Sequence, residues 1–267
     1  MYFEIQSNEG LLIRGDIALP DKPRALCVIV HGFKGFRQWG FFPWLAEHLA
    51  QAKVAACRFD MSRNGVGESG DSFDRLDLFA GDTYSTQLAD LQAVVRHCYS
   101  IDRLRHLPIF LLGHSRGGGV SLLGAHEIAQ LAGVITWSSI SHVDRWDEAT
   151  LMQWRREGHF DAVNMRTRQI MRMSTSTLDD WEANAERLDI RAAASSLRVP
   201  LLVIHGGRDE SVPLEEASEI SGATSDASLL IIGNASHTYN AIHPLVKVPR
   251  ELRLAAAVSA HFVAAYW

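Results

Sequence analysis

The sequence predicts an α/β fold: a mostly parallel sheet with helices on both faces, interrupted by one inserted segment. Three observations point there. A continuous apolar run at 25–30 has the pattern of a strand buried on both faces, and further strand-length segments recur at 54–59, 109–112, 134–137, 201–204 and 229–232. Segments with helical spacing lie between them, and that alternation favours parallel strands joined by crossover helices. Finally, 267 residues at 47% hydrophobic composition are enough for a single large core, at the upper end of one domain.

Taken in order, 2–7 and 11–18 read as a β-hairpin around Asn8-Glu9-Gly10, because Gly10 suits a positive φ in the turn. The strand at 25–30 stops at His31-Gly32-Phe33. A helix is expected over about 42–52, then the strand at 54–59 and a loop from Asp60 to Asp74 holding Gly65, Gly67 and Gly70. Asp82 is placed to cap the next helix, in which Leu88, Leu91, Val95 and Cys98 share one face. The strand from 109 runs into Ser115, with a helix expected from there to about Gln130. Beyond 201–204 come a helix near 214–222, the strand at 229–232 and a last helix over about 249–265, with Pro249 in its first turn.

The segment 142–190 breaks the rhythm. It holds Trp146, Met152, Trp154, Met165, Met171, Met173 and Trp181 among many charges. A helix at about 147–157 is stopped by Gly158, a short irregular or hairpin piece follows over 160–173, and Thr177 with Asp180 forms a capping-box pattern for a second helix. The expectation is one domain over 1–267 with a mostly helical cap inserted at 142–190. Its Met and Trp side chains read first as the residues holding that cap together.

In an open parallel sheet, functional groups collect at the carboxyl ends of the strands. Those positions carry His31, Gly32 and Phe33; Asp60; Ser115; Ser138 to Ser141 with Asp144; Asp209; and His237. Gly113-His114-Ser115-Arg116-Gly117 is a G-x-S-x-G turn between strand and helix, which exposes a serine hydroxyl at a helix N-terminus. The pentapeptide alone is weak evidence, so its partners decide. A serine needs a base within reach and the base needs an orienting acid. The chain order Ser115, Asp209, His237 supplies all three. Asp144 and Glu210 compete with Asp209 for the acid. His31, Arg58 and Asp60 read as loop-bracing residues.

Here a resemblance becomes specific. Gly113–Gly117, His31-Gly32-Phe33, the stretch from His205 to Pro213 and Gly233-Asn234-Ala235-Ser236-His237 resemble the nucleophile elbow, oxyanion loop, acid turn and histidine loop of the α/β-hydrolase superfamily. Within it the chain is most similar to dienelactone-hydrolase-like and cinnamoyl (feruloyl) esterase-like members. Dienelactone hydrolases proper use cysteine, so Ser115 points to the esterase side. The resemblance implies a serine esterase with Ser115, His237 and Asp209 as catalytic triad and the backbone N–H groups of Phe33 and Arg116 as oxyanion hole. It implies a small-molecule ester substrate and no cofactor. Thioester or amide cleavage on the same triad is the nearest alternative, and a non-catalytic binding protein on the same fold is the distant one.

Other classes fare poorly. The formal net charge is −5 without a basic block, which argues against nucleic acid and anionic membrane surfaces. No run approaches the ~18 apolar residues of a membrane span, and Met1-Tyr2-Phe3-Glu4-Ile5 lacks the form of a signal peptide. Cys27, Cys57 and Cys98 read as buried thiols of a cytoplasmic protein. His126-Glu127 is followed by Ile128-Ala129-Gln130, so no zinc-protease motif exists, and no metal site is expected. The glycines at 65–70 precede no clear helix, against a dinucleotide site. The sequence leaves the oligomeric state open, a homodimer included.

Overall fold

The computed structural model describes residues 1–267. The chain opens with the expected hairpin, β1 (Tyr2–Gln6) and β2 (Leu12–Ala18), paired antiparallel. Its turn carries Gly10 at φ 74°, and the Ser7 hydroxyl accepts from the Leu11 N–H at 3.1 Å. There follow β3 (Ala25–Val30), α1 (Phe42–Gln51), β4 (Val54–Phe59), the short α2 (Leu76–Phe79), α3 (Tyr84–Ser100), β5 (Ile109–His114), α4 (Arg116–Gly124) and β6 (Leu131–Trp137). The inserted segment contributes α5 (Glu148–Glu157), β7 (His159–Val163), β8 (Ile170–Ser174) and α6 (Ser176–Ala183), and α7 (Ile190–Ser195) follows it. The chain closes with β9 (Leu201–Gly206), α8 (Leu214–Gly222), β10 (Ala227–Ile232) and α9 (Arg250–Ala265).

Eight strands form one sheet in the order β1-β2-β4-β3-β5-β6-β9-β10. From β4 to β10 every neighbouring pair is parallel, so the predicted α/β-hydrolase sheet is present. All six residues of β3, β5 and β9 are buried, as their unbroken apolar runs require. Their side chains alternate between two cores, because successive residues of a strand face opposite ways. One core gathers Leu26, Val28, Leu111 and Val203 with α3, α4, α7 and α8; the other gathers Cys27, Ile29, Phe110 and Ile204 with α1 and α9. Cys27, Cys57 and Cys98 are free and buried.

Three local expectations need correction. The cap of α3 is Thr83, whose hydroxyl accepts from the Thr86 N–H at 3.1 Å; Asp82 is instead buried and accepts from Gln87 Nε2 at 2.6 Å. Helix α4 ends at Gly124, not near Gln130, because pairing with β5 recruits the chain into β6 from Leu131 onward and leaves Ala125–Glu127 as a 3₁₀ turn. Thr177 does not open α6, which starts at Ser176 after Thr175. Its hydroxyl donates to the Asp82 carbonyl at 2.9 Å, and Asp180 accepts the Ser85 N–H at 3.0 Å. The two capping-box residues are thus used to dock the insertion on the start of α3.

The insertion holds a two-stranded hairpin as well as its two helices. It packs a small third core in which Trp154, Met171, Met173 and Leu178 meet Phe36, Val66 and Phe73 from loops of the main sheet and Phe79 from α2. Trp154, Met171 and Met173 are almost fully buried, whereas Met152 and Met165 face solvent.

Candidate active site

The turn after β5 is tightly crowded. Ser115 sits at φ 57°, ψ −123°, a conformation that strains any residue with a Cβ, by about 1–3 kcal/mol. It persists because its neighbours leave no other path. A Cβ built on Gly113 would lie 2.1 Å from the Gly117 carbonyl oxygen, and one on Gly117 would lie 2.3 Å from that of Val30. Only glycine permits strand, turn and helix to approach so closely. The Ser115 N–H donates to the Trp137 carbonyl at 2.9 Å, and its side chain caps nothing. The hydroxyl is left at the end of β5, before the N-terminus of α4, where the helix dipole favours negative charge.

Asp209 follows β9 and His237 follows β10, and the structure brings them together. His237 Nδ1–H donates to the Asp209 carboxylate at 2.9 and 3.0 Å. Asp209 Oδ1 also accepts the N–H groups of Ser211 and Val212, both at 2.9 Å. Burial opposes the charge on Asp209, but His237 and the two amides outweigh it and hold its carboxyl well below the usual range. The other two acids fall out: Glu210 receives only the His237 backbone N–H, at 3.4 Å, and Asp144 lies beside Trp181, Leu188 and Asp189. The structure does not join Ser115 to His237 by a hydrogen bond; the imidazole instead packs against the adjacent His114, ring centres 4.7 Å apart.

Two residues that sequence reasoning passed over support this pair. His114 Nε2–H donates to the His237 carbonyl at 2.9 Å, tying the histidine loop to the serine turn. Burial and the nearby His237 push the His114 pKa down to about 3, so the ring stays neutral. His205, fully buried at the end of β9, donates from Nε2 to the Val212 carbonyl at 3.0 Å and thereby holds the acid turn. The only sequence signal for either was its place at the carboxyl end of a strand.

The loop after β3 lies against the serine: a Cβ on Gly32 would come within 2.9 Å of Ser115 Cβ. The N–H groups of Phe33 and Arg116 donate to no carbonyl in the chain. His31 braces this loop, donating from Nδ1 to the Gly32 carbonyl at 2.9 Å and accepting the Met61 N–H at Nε2. Asp60 accepts the Arg37 N–H at 2.7 Å and pairs with its guanidinium, while Arg58 donates to the Arg37 carbonyl. A cleft of about 520 Å³ lies elsewhere, lined by Arg14, Asp60, Ser62, Asn64, Glu68 and Arg75 among others. No histidine or cysteine lines it.

This fold and this arrangement at its strand ends define an α/β hydrolase. Residues 21–183, more than half of the chain, match the model of the Hydrolase_4 family, described as serine aminopeptidase, S33; the chain belongs to that family. No curated protein matches it. Among solved structures it is similar to Est1E from Butyrivibrio proteoclasticus with ferulic acid bound, at 21% identity and a TM-score of 0.77, covering 99% of this chain and 98% of that one. It is also similar to a dienelactone hydrolase from Anabaena variabilis, at 17% identity, a TM-score of 0.65 and coverage of 100% and 98%. A third is the mouse alpha/beta hydrolase domain-containing protein 10, at 15% identity, a TM-score of 0.73 and 99% coverage of both. At these identities the likeness is one of fold.

Proposed function

We propose that the protein is a serine esterase that cleaves small carboxylic esters through an acyl-enzyme. The observation that carries this reading is the Asp209–His237 hydrogen bond at 2.9 Å, delivered to the strand ends beside the strained turn of Ser115. In this mechanism Ser115 Oγ attacks the ester carbonyl carbon while His237 Nε2 takes its proton. The link between them forms when substrate enters, since such bonds are commonly long without substrate. Asp209 fixes the imidazole tautomer and stabilises its cation. The tetrahedral oxyanion receives the free N–H groups of Phe33 and Arg116, each worth about 2.7–4 kcal/mol in the transition state. His237 returns the proton to the departing alcohol, and water then repeats the sequence on the acyl-enzyme. The residues complete this cycle without a cofactor.

The family description favours a second reading, amide cleavage behind a free amino terminus. The cations beside the oxyanion loop speak against it: Arg116 and Lys34 both flank the Phe33 ring and would repel a protonated α-amino group. Rates on p-nitrophenyl esters, acyl-CoA thioesters and aminoacyl-anilides, in wild type and Ser115→Ala, test the choice. Ester turnover that vanishes in the alanine variant is expected. Efficient anilide or thioester cleavage with little ester turnover would replace the ester reading.

A further inference from the structure

Arg116 is the most unusual charge in the molecule. It is 5% exposed, yet none of its five N–H donors makes a hydrogen bond, and Nη1 is fully enclosed without a partner. Its one carboxylate neighbour, Asp82, stands 3.6 Å away, beyond hydrogen-bond reach. The guanidinium is held instead between two aromatic faces, 4.2 Å from the Phe33 ring centre and 4.9 Å from that of Tyr84. Lys34 Nζ lies 5.2 Å from the same Phe33 ring, and its single hydrogen bond is to the Val163 carbonyl of the insertion. Burying a guanidinium whose donors make no hydrogen bond is unfavourable even beside a carboxylate. Planar pairing with a carboxylate is the interaction that best satisfies it.

The strand order says which half of an ester would meet it. Ser115 stands at the end of β5. Asp209 and His237 arrive from β9 and β10 on one side. Phe33 and Lys34 follow β3, and Asp82 and Tyr84 lie at the start of α3 in the connection after β4, on the other side. A base that protonates the leaving alcohol must have that alcohol on its own side, so the acyl chain runs toward β3 and β4, where the cations are. Asp82 neutralises Arg116 incompletely, because burial pushes its pKa up to about 7 despite that guanidinium.

We infer that the acyl half of the substrate carries its own carboxylate, received by the Arg116 guanidinium with Lys34 in support, so that half-esters of dicarboxylic acids are the preferred class. This inference rests on the serine-esterase reading, and the test separates the two. Monoethyl succinate, glutarate and adipate are compared with ethyl butyrate, pentanoate and hexanoate at low ionic strength, alongside fluorophosphonate labelling of Ser115. The half-ester is expected to exceed the neutral ester of equal length in kcat/KM by about tenfold to a hundredfold, the worth of one charge-assisted pair. That ratio should shrink with added salt, collapse in Arg116→Gln and drop by about threefold in Lys34→Gln. Because the ratio is read, any general loss through the Arg116 N–H cancels. If Arg116→Gln does not fold, the wild-type ratio, its salt dependence and Lys34→Gln decide. Labelling of Ser115 with neutral esters equal or preferred overturns the inference and leaves the esterase reading standing. Absence of labelling removes the esterase reading. In that event glutarate binding by thermal shift decides the inference: a Tm rise lost in Arg116→Gln supports it, and no rise overturns it.

Discussion

Replacing His114 with glutamine should flatten the acid side of the stability curve by about 2 kcal/mol between pH 7 and pH 5. His114 is 7% exposed in the serine turn, and its pKa is pushed down to about 3 by burial and by His237, against about 6.5 in an unfolded chain. A group depressed on folding contributes stability that is whole above its unfolded pKa and is lost as pH falls toward its folded one. At pH 5 the unfolded chain therefore binds nearly a full proton that the native protein refuses. Integrating that difference down from pH 7 gives about 2 kcal/mol. Glutamine cannot titrate, yet its amide can still donate to the His237 carbonyl that His114 holds at 2.9 Å. Asp82 and Asp90, raised by burial to about 7 and about 6, act with the opposite sign and lose stability as pH rises. They are common to both proteins and drop out of the difference. Urea unfolding of wild type and His114→Gln at pH 7, 6 and 5 reads it directly. Parallel curves for the two proteins would show that His114 is not held neutral by the fold, and the reasoning would be wrong.

Three further outcomes follow from the same geometry. Asp209→Asn keeps the hydrogen-bonding shape but reverses the tautomer demand on His237, so ester kcat should fall by about 10⁴ while the far-UV spectrum is unchanged; a loss below tenfold would remove Asp209 from the mechanism. Gly117→Ala sets a Cβ 2.3 Å from the Val30 oxygen and 2.5 Å from that of His31, backbone atoms that cannot yield cheaply, and should destabilise by about 3 kcal/mol in urea unfolding. Thr177→Val removes the buried bond to the Asp82 carbonyl and should cost about 1–2 kcal/mol, with proteolysis of the 142–190 segment accelerated before the sheet is touched.

The sheet was legible because each of its central strands is buried on both faces, so that composition alone betrays it. The serine turn was legible for a related reason: only glycine fits at 113 and 117, and the crowding is therefore written into the residues. Long-range docking was not. Nothing local distinguishes Thr177 and Asp180 as contacts to α3 from the helix cap they resemble, since the choice depends on where Asp82 and Ser85 lie in space. Asp82 was misread for the same reason; a carboxylate before a helix is ordinarily its cap, and here Arg116 and Gln87 claim it. Arg116 itself showed only that a side chain stood after Ser115. Its lack of any hydrogen bond is a property of packing.

The central claim is that Ser115 is a nucleophile activated by the Asp209–His237 pair. The most direct measurement is reaction of the native protein with a fluorophosphonate probe, followed by peptide mapping. Stoichiometric labelling confined to Ser115, abolished by acid unfolding and reduced at least about a hundredfold in rate in His237→Gln, is the predicted result. A Ser115 that stays unmodified in folded protein, or that labels equally fast without His237, would contradict the account.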